Sequence, residues 1–432
     1  MNPSKPASLR LSNRLWLALL VLAFILQVIF PYRGWMILLA SMGGAFIIAY
    51  LWSRSLAGSL RLSRAVRYGW AQVGDLLEER FDLENRGWWP AVWVEIVDES
   101  TLPGEPLSRA TGVGGNSHNE WLASRTCTRR GVFNLGPTTI HTGDPFGIFS
   151  VTIHDDATAT LLVTPAVLPL PSIEVAPGGR SGEGRPGTQA IELSINAASV
   201  RDYLPGDSLR WIHWLTLARR DKWSVKTFDH TPTGDWWVIL DLDRRVQSGR
   251  EENSSEEMGV TLAASLAVRG LQSGRSVGLV ASGEPFLWLH PEAGEAQRWR
   301  VLRALAAIEP GSTPLHLLLK AFSPSLGRQA SLVLVTADLK GEWLTELTSL
   351  ARRGMAPTVL TVENGIGFDS ADSGHLRNLL ASLGIAHYSI TPELFTAVRT
   401  SAKTNAWEWR VTPTGRAIPI RQPGDMNWRS LE

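Results

Sequence analysis

Leu15 to Phe30 reads LWLALLVLAFILQVIF, and Gly34 to Trp52 reads GWMILLASMGGAFIIAYLW. Crossing a bilayer takes ~20 apolar residues, with ~17 as a lower bound. The second run meets that length without a charge, whereas the first does so only with its flanks. A cleaved signal peptide competes for the first run, because an apolar core of ~7–15 residues suits that role. No small-residue cleavage site follows Phe30, and the second run begins almost at once. The reading is a membrane hairpin of two transmembrane helices over residues 1–53.

Basic residues orient it. Lys5, Arg10 and Arg14 precede the first run, Arg54, Arg61, Arg64 and Arg67 follow the second, and only Arg33 lies between. The excess of Lys and Arg on the cytoplasmic side of membrane proteins then puts both ends in the cytoplasm. The expectation is a plasma-membrane protein, multi-pass through its hairpin, with its soluble domains cytosolic. Trp16, Trp35 and Trp52 stand near run ends, where amphipathic indoles favour the interface.

The remaining composition is that of a folded chain. With 432 residues, more than one domain is expected. Lys+Arg at 42 against Asp+Glu at 41 leaves no net field to gather phosphates, which argues against a nucleic-acid partner. The single cysteine, Cys127, excludes an intrachain disulfide and paired-cysteine zinc sites.

Beyond the apolar runs, short segments separated by turn residues fill positions 70–168, the pattern of an all-β sandwich-like domain. AVWVEIVD, from Ala91, alternates with a period of two. RRGVFNLGPTTIHTGDPFGIFS, Arg129–Ser150, carries Gly131, Gly136 and Gly147 as positive-φ candidates. Asp144-Pro145-Phe146-Gly147 reads as a tight turn that tucks Phe146 against the sandwich edge. GGRSGEGRPG, Gly178–Gly187, is a linker and lacks the lysine of a phosphate loop.

From Asp235 the pattern alternates between continuous apolar strands, such as WWVILDLD, and helices such as MGVTLAASLAVRGL. Such strands belong to parallel sheets covered on both faces. Ligands meet these sheets at the carboxyl ends of the strands, here Asp241, Asp243, Thr336 and Asp338. The organisation read from sequence is a hairpin at 1–53, a β domain at 70–168 and a linker with a motif helix at 169–230. An α/β domain at 231–400 and a C-terminal extension at 401–432 complete it.

Between the β and α/β parts, VRDYLPGDSLRWIHWLTLARRDKWSVK, Val200–Lys226, mixes charges with three tryptophans. Pro205-Gly206 makes a turn and Asp207 can cap a helix from about Ser208 to Arg219. That helix is apolar around most of its circumference, so it is buried or covered by a partner. Two readings stay open: a buried network in which Arg210 pairs with Asp202 or Asp207, and a partner surface presenting Arg219, Arg220 and Lys226. His213 has no serine or cysteine nucleophile near it in sequence, and no catalytic residue is assigned.

Arg201, Asp202, Tyr203, Gly206, Asp207, Arg210, His213 and Trp214, followed by Arg219 and Lys226, resemble the motif of the domain of unknown function 58 family. Arg130-Gly131, with Gly136 and Asp144-Pro145-Phe146-Gly147, is similar to that family's upstream motif. The resemblance implies a membrane-anchored protein partnered by a MoxR-type AAA+ ATPase and by von Willebrand factor A-type proteins, with no established reaction. The last domain resembles a von Willebrand factor A-like, Rossmann-type fold, whose metal site uses Asp-x-Ser-x-Ser. Here those positions are Asp241, Asp243 and Arg245. A guanidinium at a ligand position opposes a cation, so no metal and no cofactor is expected, with Asp241, Asp243 and Asp338 as the residual candidates.

The expected function is a non-enzymatic, cytosol-facing scaffold that assembles complexes or maintains the cell envelope, with no small-molecule substrate. A metal-dependent adhesion-type module and a component of a transglutaminase- or protease-linked membrane system are the alternatives.

Overall fold

Alternation dictates the first strands: in LLEERFDLEN, Leu77, Glu79, Phe81, Leu83 and Asn85 all point inward. The computed structural model describes residues 7–170, 173–177, 197–202, 222, 224–228, 235–249, 253–322, 330–363, 370–392, 409–411, 417–419 and 429–430. Two compact units account for the chain. The first comprises Met1–Leu168, Leu302–Ile308 and Arg399–Glu432; the second comprises Pro169–Val301 and Glu309–Val398.

The first unit begins with β1 (Ser8–Leu11), α1 (Arg14–Ile29) and α2 (Arg33–Ser59). Ten strands follow: β2 (Leu60–Val66), β3 (Trp70–Gln72), β4 (Leu76–Asn85), β5 (Ala91–Asp98), β6 (Arg109–Val113), β7 (Ser117–Thr126), β8 (Gly131–Leu135), β9 (Thr138–Gly143), β10 (Phe149–Asp155) and β11 (Ala159–Thr164). One antiparallel sheet has the order β1-β10-β9-β5-β6. A second contains β2, β4 and β7, and a third, β3-β11-β8, has β3 parallel to β11. Leu56, Leu60, Leu83, Val94, Ile96, Ile140 and Val151 form one core shared by α2 and the two larger sheets. A separate core gathers Val66, Leu77, Cys127, Leu135 and Leu161.

The hairpin of two transmembrane helices is corrected by this structure. Pro31 cannot continue a helix and biases the preceding residue out of it, so α1 stops with Phe30 at φ −127° and ψ 84°. Its 16 residues rise ~24 Å, short of the ~30 Å hydrocarbon layer. Only α2, with 27 residues, is long and apolar enough to cross a membrane among the described residues. Its buried residues, Ala49, Ser53 and Leu56, lie on one face near the C-terminal end.

In the second unit, β12 (Ala197–Asp202) and β13 (Ser224–Phe228) pair antiparallel, with Val200 opposite Lys226. The chain continues through β14 (Trp236–Leu240), α3 (Ser255–Gln272), β15 (Val277–Ala281), β16 (Gly283–Glu284), β17 (Leu287–Glu292), α4 (Glu295–Ala307) and β18 (Glu309–Pro310). It ends with α5 (Leu315–Phe322), β19 (Ser331–Thr336), α6 (Leu344–Arg352), β20 (Ala356–Val362), α7 (Ser370–Ser382) and β21 (Ala386–Ile390). In the first unit's last segment, Arg399–Glu432, β22 (Trp409–Val411) pairs with β23 (Ala417–Pro419), and β24 (Arg429–Ser430) joins β2.

The main sheet has the order β17-β15-β14-β19-β20-β21. Five of its strands are parallel, but β17 runs antiparallel to β15. The link between those two strands, Ser282–Phe286, is too short for a crossover, and a link of that length can only reverse the chain. Mixed sheets of this kind give no clear von Willebrand factor A-like Rossmann fold, and that expectation is corrected too. Trp237, Ile239, Leu319, Phe322, Leu334 and Trp343 pack one side of the sheet. Across it, α3 approaches so closely that a Cβ on Gly270 would lie 2.7 Å from the Trp236 ring.

Candidate functional site

The carboxyl ends of β14 and β19 bring three acids together. Asp241 follows β14 and is 3% exposed. Thr336 Oγ1, at the end of β19, donates to its Oδ2 at 2.7 Å, and the Asp243 amide and Ser282 hydroxyl reach Oδ1 at 3.1 and 3.4 Å. Burial is the main cause that pushes the Asp241 carboxyl up to about 6; the Thr336 and Asp243 bonds oppose it, while Asp338 and Asp243 add repulsion. Asp338 is raised as well, first by burial, and its amide donates to Thr336 Oγ1 at 2.9 Å.

Asp243 differs because a guanidinium holds it. Arg245 Nη2 lies 2.6 Å from Oδ2, Nε lies 3.1 Å from Oδ1, and the Arg245 amide also donates to Oδ1. Hydrogen bonding to Arg245 keeps the Asp243 carboxyl below the usual range. Arg244 turns away, to the Pro310 carbonyl at 3.0 Å. A divalent cation fits this donor set poorly: one carboxylate is enclosed among hydroxyls and the other is neutralised by arginine. No group of three His, Cys, Asp or Glu suited to a metal occurs among the described residues. Chemically, the cluster can hold a proton near neutral pH inside the sheet end.

The motif stretch is only partly described. Arg201 and Asp202 lie in β12, opposite Val225 and Ser224, and Lys226 lies in β13. Tyr203, Gly206, Asp207, Arg210, His213, Trp214 and Arg219, together with the expected helix from Ser208, lie outside the described residues. The hairpin register nevertheless brings Lys226, distant in sequence, onto the strand adjacent to Arg201 and Asp202.

The upstream motif falls into two places. Arg130 is buried and donates from Nε and Nη2 to the Leu305 and Ile308 carbonyls, at 3.1 and 2.9 Å. It caps the carbonyl end of α4, whose last residues, from Leu302, belong to the first unit with Arg130, and there a cation meets the helix dipole favourably. Gly131, Gly136 and Gly147 have φ of 151°, 79° and 68°. At Gly136 a side chain is excluded outright, since its Cβ would lie 2.4 Å from the Ala157 carbonyl oxygen. Asp144 is fully buried and accepts from the amides of Phe146, Ile148 and Phe149, which fixes the turn containing Pro145 and Gly147. Phe146 does not tuck against the sheet: held on the outside of this turn, its ring is half exposed.

A buried quartet escaped the sequence reading. Arg64 Nε donates to Glu79 Oε2 at 2.6 Å and Arg64 Nη1 to Asp98 Oδ1 at 2.8 Å. Arg125 completes it, 3.1 Å from Glu79 and 3.5 Å from Asp98. Burial works against ionisation of Asp98, but Arg64, Ser100 and Arg125 outweigh it and hold the carboxyl below its usual range. The available signal was parity: Glu79 shares the inward register of Leu77, Phe81 and Leu83.

Comparison with solved structures gives only faint likenesses. The CARDB domain of the PF1109 protein from Pyrococcus furiosus is 12% identical, with a TM-score of 0.18, over 24% of this chain and 94% of that one. Proximal thread matrix protein 1 of the mussel byssus is 16% identical, with a TM-score of 0.28, over 41% and 49% of the two chains. Neither bears on the fold at such scores. The uncharacterised protein YeaD of Bacillus subtilis (strain 168) is 26% identical over 301 residues, 66% of this chain and 72% of that protein. Residues 199–363, from the motif hairpin through the main sheet to the end of β20, match the family described as protein of unknown function DUF58.

Proposed function

We propose that the protein is a membrane-anchored, cytosol-facing interaction protein without catalytic activity of its own. It works with a MoxR-type AAA+ ATPase in complex assembly or cell-envelope maintenance. The observation that carries this reading is α2, long and apolar enough to cross a membrane, with no buried residue before Ala49. Its second half packs on the first unit through Leu56, Phe46 and Trp52, so the anchor and the folded unit are one piece. Arg54, Arg61, Arg64 and Arg67 follow the anchor closely, a distribution that favours the cytosolic side.

The choice of partner comes from the motif resemblance in Val200–Lys226, within the segment that matches the family. A binding role also agrees with the chemistry at the strand ends, where Arg245 neutralises Asp243 and Asp241 is enclosed. Two measurements test the reading. The full chain should stay with membranes through an alkaline carbonate wash; release by the wash would remove the anchor. From detergent extracts it should capture the ATPase, and Arg219→Ala with Arg220→Ala should weaken capture in a salt-dependent way. Capture indifferent to both substitutions and to salt would rule out that stretch as the contact.

A further inference from the structure

The segment that meets the root of α2 carries exposed aromatic side chains. In the segment Arg86–Val94, RGWWPAVWV, Trp88 is 86% exposed and Val92 58%, while Trp89 and Trp93 are each about two-fifths exposed. Phe146, on the turn between β9 and β10, is 52% exposed. Isolated exposed apolar residues are ordinary, but Trp88, Trp89 and Trp93, all partly or largely exposed within one short segment, mark a contact surface.

Contacts place Trp89 and the turn bearing Phe146 near the base of the apolar helices. The Trp89 ring lies 4.4 Å from that of Trp52 in α2, and Trp52 Nε1 donates to the Pro90 carbonyl at 2.9 Å. A Cβ on Gly143 would lie 3.2 Å from the Trp93 ring, which ties Trp93 to the turn bearing Phe146. Past that turn, Phe149 meets Phe46 and Tyr50 of α2 at 5.1 and 5.7 Å, and the Ile148 carbonyl accepts from the Ser12 and Asn13 amides just ahead of α1.

Helix length supplies the second observation. The part of α2 ahead of its packed half, Arg33–Ala45, rises only ~20 Å, less than the ~30 Å of a hydrocarbon layer. Lipid must therefore extend to the root, where the far side of the helix still exposes Ile47, Ile48 and Leu51. Trp89 stands at that level, against Trp52 of α2, with Trp88 and Trp93 in the same short segment. Indoles favour the headgroup zone, with an apolar face and a polar N–H, and the exposed Arg10, Arg14 and Arg54 around the root suit anionic headgroups.

We infer that the rim formed by Trp88, Trp89, Trp93 and Phe146 is a membrane-docking surface that seats the first unit in the headgroup zone of the bilayer entered by α2. The inference rests on the anchoring reading above and extends it from a helix to a surface.

The test uses the full chain in phosphatidylcholine–phosphatidylglycerol vesicles, with and without brominated acyl chains. Cys127 is the sole cysteine and is buried, so Cys127→Ala clears the background for single sites. Met36→Cys reports on the anchor, Trp88→Cys and Phe146→Cys on the rim, and Val132→Cys on an exposed strand of a different sheet. Each carries an NBD label. Bromolipid should quench the anchor and rim labels at least two-fold more than the Val132 label. Quenching at Met36 alone would overturn the docking surface and leave the anchor standing. A Met36 label insensitive to bromolipid would overturn both. A rim label that shifts to the blue without quenching, increasingly at high protein-to-lipid ratio, would assign the rim to a second copy of the chain and overturn the inference. An unlabelled Trp88→Ser, Trp93→Ser chain gives an independent reading: the quenched fraction of its intrinsic emission should fall below the parent's, and an unchanged fraction counts against docking.

Discussion

Asp241 and Asp98 are both buried acids, and their surroundings give them opposite relations to pH and stability. Asp241 is enclosed with hydroxyl and amide donors, and burial makes the folded chain hold its proton more tightly than the unfolded chain does. Its favourable contribution is complete below the unfolded carboxyl range near pH ~4 and is lost as pH rises through about 6. A shift of that size corresponds to about 3 kcal/mol. Urea unfolding between pH 4 and 7 should show stability falling with pH in the parent, and Asp241→Asn should flatten that slope and stabilise the chain at pH 7. An unchanged slope would mean that Asp241 is ionised throughout. Glu79 instead joins two arginines, so Glu79→Ala leaves two buried guanidinium groups short of a partner. The expected loss is ~3–5 kcal/mol, read from the urea midpoint at constant slope. Asp98, held by the same two arginines, has a depressed carboxyl that contributes stability above the unfolded range and loses it as pH falls.

At the level of elements, α2 is a helix with two surroundings. Its first half has no buried residue, whereas Leu56 near its end is fully buried against Leu60, Leu83 and Ile96. Leu56→Ala should cost ~2–5 kcal/mol in detergent-solubilised chain, and a cost below ~1 kcal/mol would show that the helix end is loosely seated. The sequence made some elements legible and hid others for physical reasons. WWVILDLD reads as a buried strand because its apolar run is continuous, and Trp236–Leu240 is one. The direction of β17 was not legible, since it follows from the five-residue link and not from the composition of LWLHPE. The first run needed its flanks to reach spanning length, and Pro31 removes the C-terminal one, so α1 stops at Ile29. The meeting of Glu79 with Arg64 was not legible, because charge alone does not reveal that two inward-facing positions on neighbouring strands will meet. The Asp241–Thr336 pairing joins residues far apart in the chain; only the order of the sheet puts β14 beside β19.

On the scale of the whole molecule, the apolar helices are built into the first unit. β1 precedes them and pairs with β10, with Leu11 opposite Phe149, while β2 follows them directly and pairs with β4. Ile148 and Phe149 form a small core with Ala49 of α2, bordered by Leu9, Leu11 and Trp16. Cutting the chain before Leu60, the natural choice for a soluble fragment, would strip the edge strand from β10 and uncover that core. An open edge beside exposed apolar side chains is a site for intermolecular pairing. The fragment 60–432 should therefore self-associate on size-exclusion chromatography and bind ANS, while the full chain in detergent stays monodisperse. Covering the edge should rescue it: the segment 7–13 joined by a flexible linker ahead of Leu60 restores β1 without the apolar helices. If the plain fragment is already monodisperse and melts cooperatively at the temperature of the full chain, the helices and β1 are appendages and the first unit folds without them.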